Sequence, residues 1–153
     1  MAKIAIISHY APSLINFRGD LIRAMVELGH EVICLGPETG FKQPLQELGA
    51  GYRQIPLHRT GLNPLKDIIT LFSLRKVLKE IKPDLVFSYT VKPIVYGSIA
   101  AHLAGVKRMY AMITGLGYVF IGQTLKQKLL TQVVAFLYRL GLKHNQVVFF
   151  QNS

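Results

Sequence analysis

The stretch Lys3-Ile-Ala-Ile-Ile-Ser8, with Asn16-Phe-Arg-Gly-Asp-Leu-Ile-Arg-Ala-Met-Val-Glu-Leu-Gly-His-Glu-Val32 after it, decides the fold of this chain. The run from Ile4 to Ile7 is wholly apolar, which is typical of a parallel strand covered on both faces. Asn16 is predicted to cap a helix that Gly29 ends, and Val32 begins a second apolar run. A strand, a helix and a strand within about thirty residues predict a βαβ unit, the starting unit of a doubly wound sheet.

The alternation of strands and helices continues through all 153 residues, a length that fits one domain. Further strands are predicted at Val32–Leu35, Arg53–Leu57, Leu85–Phe87, Lys107–Ile113 and Val147–Phe150. Further helices are predicted from Lys42 to Leu48, from Pro64 to Pro83, from Pro93 to Gly105 and from Gln123 to Leu140. This order predicts an α/β fold with a Rossmann-like, doubly wound parallel sheet of about six strands, in three αβα layers.

Local signals predict the ends and faces of several elements. The third strand alternates only weakly and is assigned to a sheet edge. Asn63 is predicted to cap the long helix that follows, and Gly141 to end the last helix. The long helix is predicted to have an apolar face made of Leu65, Ile68, Ile69, Phe72, Leu78 and Ile81. Because the last strand is apolar on both faces and almost ends the chain, we expect residues 1–153 to be the first half of a longer protein.

The composition favours a cytoplasmic globular protein. Half of the residues are hydrophobic, and the opening apolar run ends at Ser8, too soon for a secretory signal. The longest charge-free stretch, from Met109 to Leu125, is interrupted by three glycines, so a membrane span is not predicted. The single cysteine, Cys34, excludes an internal disulfide and fits a reducing compartment.

The charge is strongly positive and unevenly spread along the chain. The formal net charge is +10, and all eight acidic residues lie at or before Asp84. A basic surface favours anionic partners, namely nucleic acid, anionic lipid or phosphorylated substrates. An ordinary solvated basic face is equally compatible with the charge alone.

Three loops are predicted to meet at the carboxyl edge of the sheet, where ligands bind in doubly wound folds. They are the segments Ser8 to Asn16, Ser88 to Lys92 and Thr114 to Phe120. Gly115 and Gly117 would let backbone amides approach a phosphate closely. Lys92 directly precedes a predicted helix, and Arg18 lies near the same crevice, so each adds positive charge. Taken singly, the glycines could form only a tight turn and Lys92 could be solvated, but the convergence of three loops favours a ligand site.

Other chemistries lack their motifs in this sequence. The five histidines show no metal-ligand spacing, and Cys34 has no partner, so no metal site is predicted. The sequence contains neither a Gly-x-Ser-x-Gly elbow nor a Walker-type loop. The loop after the first strand lacks the Gly-x-Gly-x-x-Gly fingerprint of dinucleotide binding, which leaves Glu38 a weak signal for ribose binding.

The helix predicted from Gln123 to Leu140 is amphipathic and basic. It carries Lys126, Lys128 and Arg139 and contains no acidic residue. Most of its apolar face is expected to pack on the sheet. Its basic flank is expected to face an anionic membrane surface.

Several motifs together resemble glycosyltransferase family 4, whose members have the GT-B fold. They are the opening stretch quoted above, Lys92-Pro-Ile-Val-Tyr-Gly-Ser-Ile-Ala-Ala-His-Leu-Ala-Gly-Val106, Thr114-Gly-Leu-Gly-Tyr-Val-Phe120 and Val148-Phe-Phe-Gln-Asn152. The resemblance spans essentially the whole chain. The set looks like the subgroup that extends sugar chains on undecaprenyl diphosphate in bacterial O-antigen, capsule or glycan assembly.

The resemblance implies a two-domain enzyme of which this chain is the first domain, on the acceptor side. A donor-binding domain outside this chain would hold most of the nucleotide-sugar. The substrates would be that nucleotide-sugar and a polyprenyl-diphosphate-linked acceptor, and transfer would retain the anomeric configuration with neither metal nor cofactor. The protein would be cytoplasmic and peripheral on the inner face of the cell membrane, without nucleic acid as a partner.

The resemblance also assigns expected roles to the loop after the fifth strand. Gly115, Leu116 and Gly117 are expected to form a backbone wall near the sugar and the phosphate. Thr114 occupies the position where many family members carry a histidine close to the transferred sugar. This matches the lipid-carrier subgroup.

Further expected binding residues lie in the other two loops. Arg18 and Lys92 are expected to neutralise the acceptor diphosphate or the leaving nucleotide diphosphate, whose charge grows in the transition state. Asn16 and Tyr89 are expected to bind sugar hydroxyls, and Gly19 belongs to the same Asn-Phe-Arg-Gly motif. No catalytic residue is assigned.

Two other functions remain open at this point. The first is a nicotinamide-dependent Rossmann module, against which the missing glycine fingerprint argues. The second is a non-enzymatic domain that binds an anionic ligand, such as nucleic acid. The chain lacks the basic stripe with interleaved aromatic residues that single-strand binders use.

Overall fold

The computed structural model describes residues 1–58, 61, 63–115 and 124–151. Within these residues six strands form one sheet: β1 (Lys3–Ile7), β2 (Glu31–Gly36), β3 (Gly51–Gln54), β4 (Leu85–Tyr89), β5 (Arg108–Ile113) and β6 (Val147–Phe150). The helices are α1 (Pro12–Asn16), α2 (Gly19–Glu27), α3 (Lys42–Glu47), α4 (Pro64–Ile81), α5 (Ser98–Leu103) and α6 (Leu125–Leu142). A π-helical turn, Pro93–Gly97, leads directly into α5.

All six strands are parallel and follow the order β3-β2-β1-β4-β5-β6. This is the doubly wound order of Rossmann-like folds, in which the chain reverses direction across the sheet between β1 and β4. The predicted α/β class, the parallel sheet of six strands and the edge position of the third strand are therefore confirmed. Loops that follow β1 and β4 lie at the point of reversal, where such folds bind ligands.

The core lies on both faces of the sheet because side chains alternate along each strand. Ile4 and Ile6 of β1 pack with α1, α2 and α3. Ala5 and Ile7 of the same strand pack with α4 and α5 on the opposite face. α6 covers β5 on the side of α4 and α5, through Val134 and Tyr138.

The helical segment between β1 and β2 starts differently from the prediction. Asn16 is the last residue of the short helix α1, which Pro12 begins, and α2 starts at Gly19 after Arg18. The prediction that Asn16 caps a helix was therefore wrong. Proline at the first helical position fixes a helical φ, which favours a separate turn within the predicted loop.

The face that α4 buries also differs from the prediction. Leu78 and Ile81 are buried, but the apolar residues of its first half are 50 to 74% exposed: Leu65, Ile68, Ile69 and Phe72. The face turned inward there carries the polar residues Asp67 and Thr70. Both are hydrogen-bonded, since Asp67 accepts from Lys92 and Tyr96, and Thr70 donates to the carbonyl of Pro56.

Gly141 does not end the last helix, which continues to Leu142. A Cβ atom at Gly141 would lie 2.9 Å from Val95 Cα and 3.0 Å from the carbonyl oxygen of Ile94. The glycine therefore lets α6 approach the backbone of the π-helical turn. The cap of α4 is as predicted, because the Asn63 side chain accepts from the amide of Lys66. The third strand begins and ends earlier than predicted, at Gly51 and Gln54.

Candidate functional site

A cleft of about 360 Å³ opens at the carboxyl edge of the sheet, where the loops after β1, β4 and β5 come together. The described residues that line it are His9, Tyr10, Ser13, Phe17, Arg18, Tyr89, Thr90, Thr114 and Gln151. The segments that follow strands on both sides of the reversal point supply these residues, as the topology requires. None of these lining residues is acidic, so the cleft suits an anionic ligand.

Arg18 is the charged centre of the cleft and is only 9% exposed. Its guanidinium donates to the Phe17 carbonyl at 3.0 Å and to Gln151 Oε1 at 2.7 Å. Its guanidinium carbon also lies 5.0 Å from the centre of the Tyr89 ring, a cation–π contact. In the described part of the chain Arg18 has no carboxylate partner, and its buried Nε has no hydrogen-bond acceptor. A buried cation without a counter-charge is costly, so an anionic ligand would both neutralise it and satisfy the free N–H.

A chain of hydroxyl groups supports the floor of the cleft beneath Arg18. Tyr89 Oη lies 2.7 Å from Ser13 Oγ, which lies 3.0 Å from Ser8 Oγ. Burial raises the pKa of Tyr89, so the phenol stays protonated. Because Tyr89 is buried and its hydroxyl is bonded to Ser13, its ring under Arg18 is its main contribution to the site. Its predicted contact with a sugar hydroxyl stays a prediction.

Lys92 is engaged elsewhere. Its ammonium lies 3.0 Å from Asp67 Oδ1, and the Tyr96 hydroxyl donates to Asp67 Oδ2 at 3.0 Å. The side chains of Lys92 and Asp67 are only 13% and 9% exposed, so this ion pair fixes α4 against the π-helical turn. Lys92 is not among the described residues that line the cleft. The assignment of Lys92 to a substrate diphosphate stays a prediction.

The other predicted binding residues are distributed unevenly around the cleft. Thr114 lines it, and Gly115 directly follows. Gly19 is buried as the first residue of α2, next to Arg18, whereas the side chain of Asn16 is exposed at the end of α1. The predictions for Leu116 and Gly117 lie outside the described residues. The structure thus brings Arg18, Tyr89 and Thr114 into one site.

Among the polar residues of the cleft that were not predicted are His9, Thr90 and Gln151. His9 Nδ1 and Thr90 Oγ1 are hydrogen-bonded across the gap between the loops after β1 and β4. Gln151 reaches Arg18 from the end of β6. The sequence signal for all three is their position directly beyond the carboxyl ends of strands. Glu38 was a weak candidate for ribose binding. In the structure its carboxylate accepts a hydrogen bond from the backbone N–H of Ala11, with 2.7 Å between Oε2 and N, and thereby anchors the loop after β1.

Comparison with known proteins identifies the family. A sequence model of the glycosyl transferase 4-like family matches residues 5–152, almost the whole chain. The chain belongs to this family. The predicted relationship is therefore confirmed, and it argues further against the alternative of a nicotinamide-dependent module.

Two relatives of this glycosyl transferase 4-like chain have names that describe transfer onto undecaprenol-linked substrates. One is the N,N'-diacetylbacillosaminyl-diphospho-undecaprenol alpha-1,3-N-acetylgalactosaminyltransferase of Campylobacter jejuni, 31% identical over 99% of this chain and 40% of the relative. The other is the UDP-N-acetylglucosamine--N-acetylmuramyl-(pentapeptide) pyrophosphoryl-undecaprenol N-acetylglucosamine transferase of Lachnospira eligens, 28% identical over 63% of this chain and 30% of the relative. The chain thus spans well under half the length of these relatives.

A likeness to solved structures supports the fold of this family member. MurG of Acinetobacter baumannii superposes on all of this chain, which covers 41% of MurG, with a TM-score of 0.63 and 18% identity. At that identity the likeness bears on the fold alone. The expected Rossmann-like α/β fold is confirmed in this sense.

Proposed function

We propose that this chain is the acceptor-side domain of a glycosyltransferase that transfers a sugar from a nucleotide-sugar to a glycan on a polyprenyl diphosphate. The observation that carries the proposal is Arg18, a buried cation with an unsatisfied N–H in a cleft lined by no acidic residue among those described. Both curated relatives are named for transfer onto undecaprenol-linked substrates, which supports a diphosphate as the anion. A second domain would bind the donor.

The proposed chemistry depends on placing positive charge beside a diphosphate. A departing nucleotide diphosphate gains charge in the transition state, and a fixed guanidinium stabilises that charge without reorganisation. Arginine also matches phosphate geometry with paired N–H donors. The proposal includes retention of the anomeric configuration and transfer without a metal ion, as in the family that the sequence resembles. Bacterial surface polysaccharide assembly is the proposed setting.

A transfer assay tests this function. The full-length protein is incubated with UDP-sugars and a short-chain prenyl-diphospho-glycan, and products are followed by mass spectrometry. We expect a product one sugar heavier, whose linkage has the anomeric configuration of the donor by NMR. Failure to extend any prenyl-diphospho-glycan with any nucleotide-sugar would overturn the proposal.

We further propose that α4 and α6 hold this cleft against an anionic membrane. Both helices run back from the carboxyl edge of the sheet, so their first halves lie at the edge where the cleft opens. On α4 the exposed residues Leu65, Ile68, Ile69 and Phe72 form one stripe; on α6 a second stripe consists of Leu125, Leu129, Val133 and Phe136. Lys66, Lys126 and Lys128 are exposed beside these stripes.

An exposed apolar stripe flanked by lysines is suited to insertion among anionic lipids. Among the described residues no helix is long and apolar enough to cross a bilayer. The lipid-linked substrates named for the relatives supply a reason for the surface to approach the membrane. The nucleotide-sugar would enter from the aqueous side.

Liposome co-sedimentation of the full-length protein tests the membrane surface. We expect binding to vesicles of phosphatidylglycerol, and its loss when Ile68 and Phe136 are both changed to Ser. The control is Leu28→Ser, because Leu28 is 75% exposed but follows α2 on the opposite face of the sheet. Equal binding by both variants would contradict the assignment of α4 and α6.

A further inference from the structure

Strand pairing itself places two polar residues of the cleft side by side. β1 and β4 are neighbours, and Ile7 pairs with Ser88 in their register. His9 and Thr90 each lie two residues beyond that pair, so both leave the sheet at the same place. Their side chains are joined by a hydrogen bond of 2.5 Å between Nδ1 and Oγ1, and both line the cleft beside Arg18.

Thr90 holds a strained backbone conformation. Its φ is 69°, in the left-handed region that a β-branched residue rarely adopts. Its carbonyl accepts the amide of Ile94 and so connects β4 to the π-helical turn. Glycine or asparagine would adopt this backbone conformation with less strain. The backbone conformation therefore does not explain why this residue is a threonine. The hydrogen bond between its hydroxyl group and the imidazole of His9 does.

We propose that His9 contacts a sugar hydroxyl of the acceptor glycan, next to the diphosphate at Arg18, and that Thr90 positions the His9 ring. The proposal rests on the proposed function of this cleft. A bond to one ring nitrogen fixes the orientation of an imidazole and the tautomer that it presents. A sugar hydroxyl both donates and accepts, so it can pair with either tautomer.

Thr90→Val tests the positioning role, because valine keeps the branched shape and the backbone strain but removes the hydroxyl. In the full-length protein we expect the KM for the acceptor glycan to rise about tenfold, as for one lost hydrogen bond, with the KM for the nucleotide-sugar unchanged. Thr90→Ser, which keeps the hydroxyl, should retain at least half of the wild-type kcat/KM.

His9→Asn tests whether Thr90 acts through His9. Asparagine places a polar atom near the Nδ1 position but does not reach the Nε2 position. We expect Thr90→Val to have no further effect on kcat/KM in the His9→Asn background, since positioning requires the group that is positioned. Additive losses, an unchanged acceptor KM in Thr90→Val, or a change confined to the donor KM would each overturn the proposal.

A binding experiment keeps this proposal separate from the transferase proposal. A short-chain prenyl-diphospho-glycan is titrated into the full-length protein, and the His9 side-chain nitrogens are followed by long-range ¹H–¹⁵N NMR. We expect the glycan to shift these nitrogens, whereas the prenyl diphosphate without sugar should not. Equal shifts by both compounds, or none, would overturn the role of His9 whether or not the protein turns over. A missing sugar transfer by the wild type would refute only the proposed function.

Discussion

Replacing Arg18 should separate activity from stability. In the Arg18→Met variant, the cleft loses its buried cation, and an unbranched apolar side chain takes the place of the arginine. A phosphate charge about 4 Å from a guanidinium is attracted by about 4 kcal/mol at an effective dielectric constant of 20. After part of that attraction is offset by desolvation, we expect a net loss of about 3 kcal/mol, or about two orders of magnitude in kcat/KM.

The same variant should not lose stability. Arg18 is 9% exposed, has no counter-charge among the described residues and leaves its Nε without an acceptor. Removing it relieves a desolvation cost, which offsets the lost bonds to Phe17 and Gln151. We therefore expect a Tm equal to or above that of the wild type. This pattern is typical of a residue kept for function at a cost in stability.

The assay compares steady-state transfer and thermal unfolding of full-length wild type, Arg18→Met and Arg23→Met. Arg23 lies one turn further along α2 and is 55% exposed, so its variant should change stability by less than about 0.5 kcal/mol and leave transfer unchanged. A fall in kcat would place Arg18 at the leaving diphosphate, and a rise in acceptor KM would place it at the acceptor diphosphate. Wild-type kcat/KM in Arg18→Met would contradict the role of Arg18 in binding a diphosphate, and a Tm several degrees lower would contradict its cost in stability.

Four other predictions concern single residues or the reaction itself. Gly141→Ala should lower the free energy of unfolding by about 1–3 kcal/mol in chemical denaturation, because its Cβ would lie 2.9 Å from Val95 Cα. The control Gly19→Ala, whose Cβ would lie 3.8 Å from its nearest neighbour, should lower it by less than about 0.5 kcal/mol. Equal losses would contradict the close approach of α6 to the π-helical turn. Lys92→Ala should lower the free energy of unfolding by about 2–4 kcal/mol, because it leaves the buried Asp67 carboxylate without its counter-charge. Adding Asp67→Asn in a double variant should recover part of that loss. Additive losses from the two single variants would show that the ion pair does not contribute to stability. Burial raises the pKa of Cys34 to about 12, so the thiol should not react with DTNB at pH 8 until the protein unfolds, and rapid reaction of the native protein would contradict this. Transfer should persist in EDTA, and its abolition would show a need for metal.

Much of the fold could be predicted because its signals are local and agree with one another. Wholly apolar runs identify buried parallel strands, and Asn63-Pro64 identifies a helix start. The face of α4 could not be predicted in the same way. Periodicity shows that Leu65, Ile68, Ile69 and Phe72 share one stripe, but not what that stripe faces. The inward side is polar and is satisfied by partners distant in sequence, such as Lys92 and the carbonyl of Pro56.

The candidate site was predictable to a similar extent. The topology places the loops after β1, β4 and β5 at one edge, which is why Arg18, Tyr89 and Thr114 were found. The bond from Arg18 to Gln151 joins residues 133 positions apart and leaves no local signal. The positive φ of Thr90 is also hidden, because glycine or asparagine is the usual mark of such a conformation. For Lys92, charge and position predict a cation but not its bond to Asp67.

A structure of the full-length protein bound to a short-chain prenyl-diphospho-glycan would show directly what the cleft around Arg18 binds. We expect the cleft to hold the diphosphate of a glycosyl acceptor or of a leaving nucleotide. A diphosphate oxygen should lie within about 3 Å of an Arg18 nitrogen, the distance of a charge-assisted hydrogen bond. A diphosphate bound away from Arg18, in this structure and in one with the nucleoside diphosphate product, would contradict the assignment of this cleft as a diphosphate site.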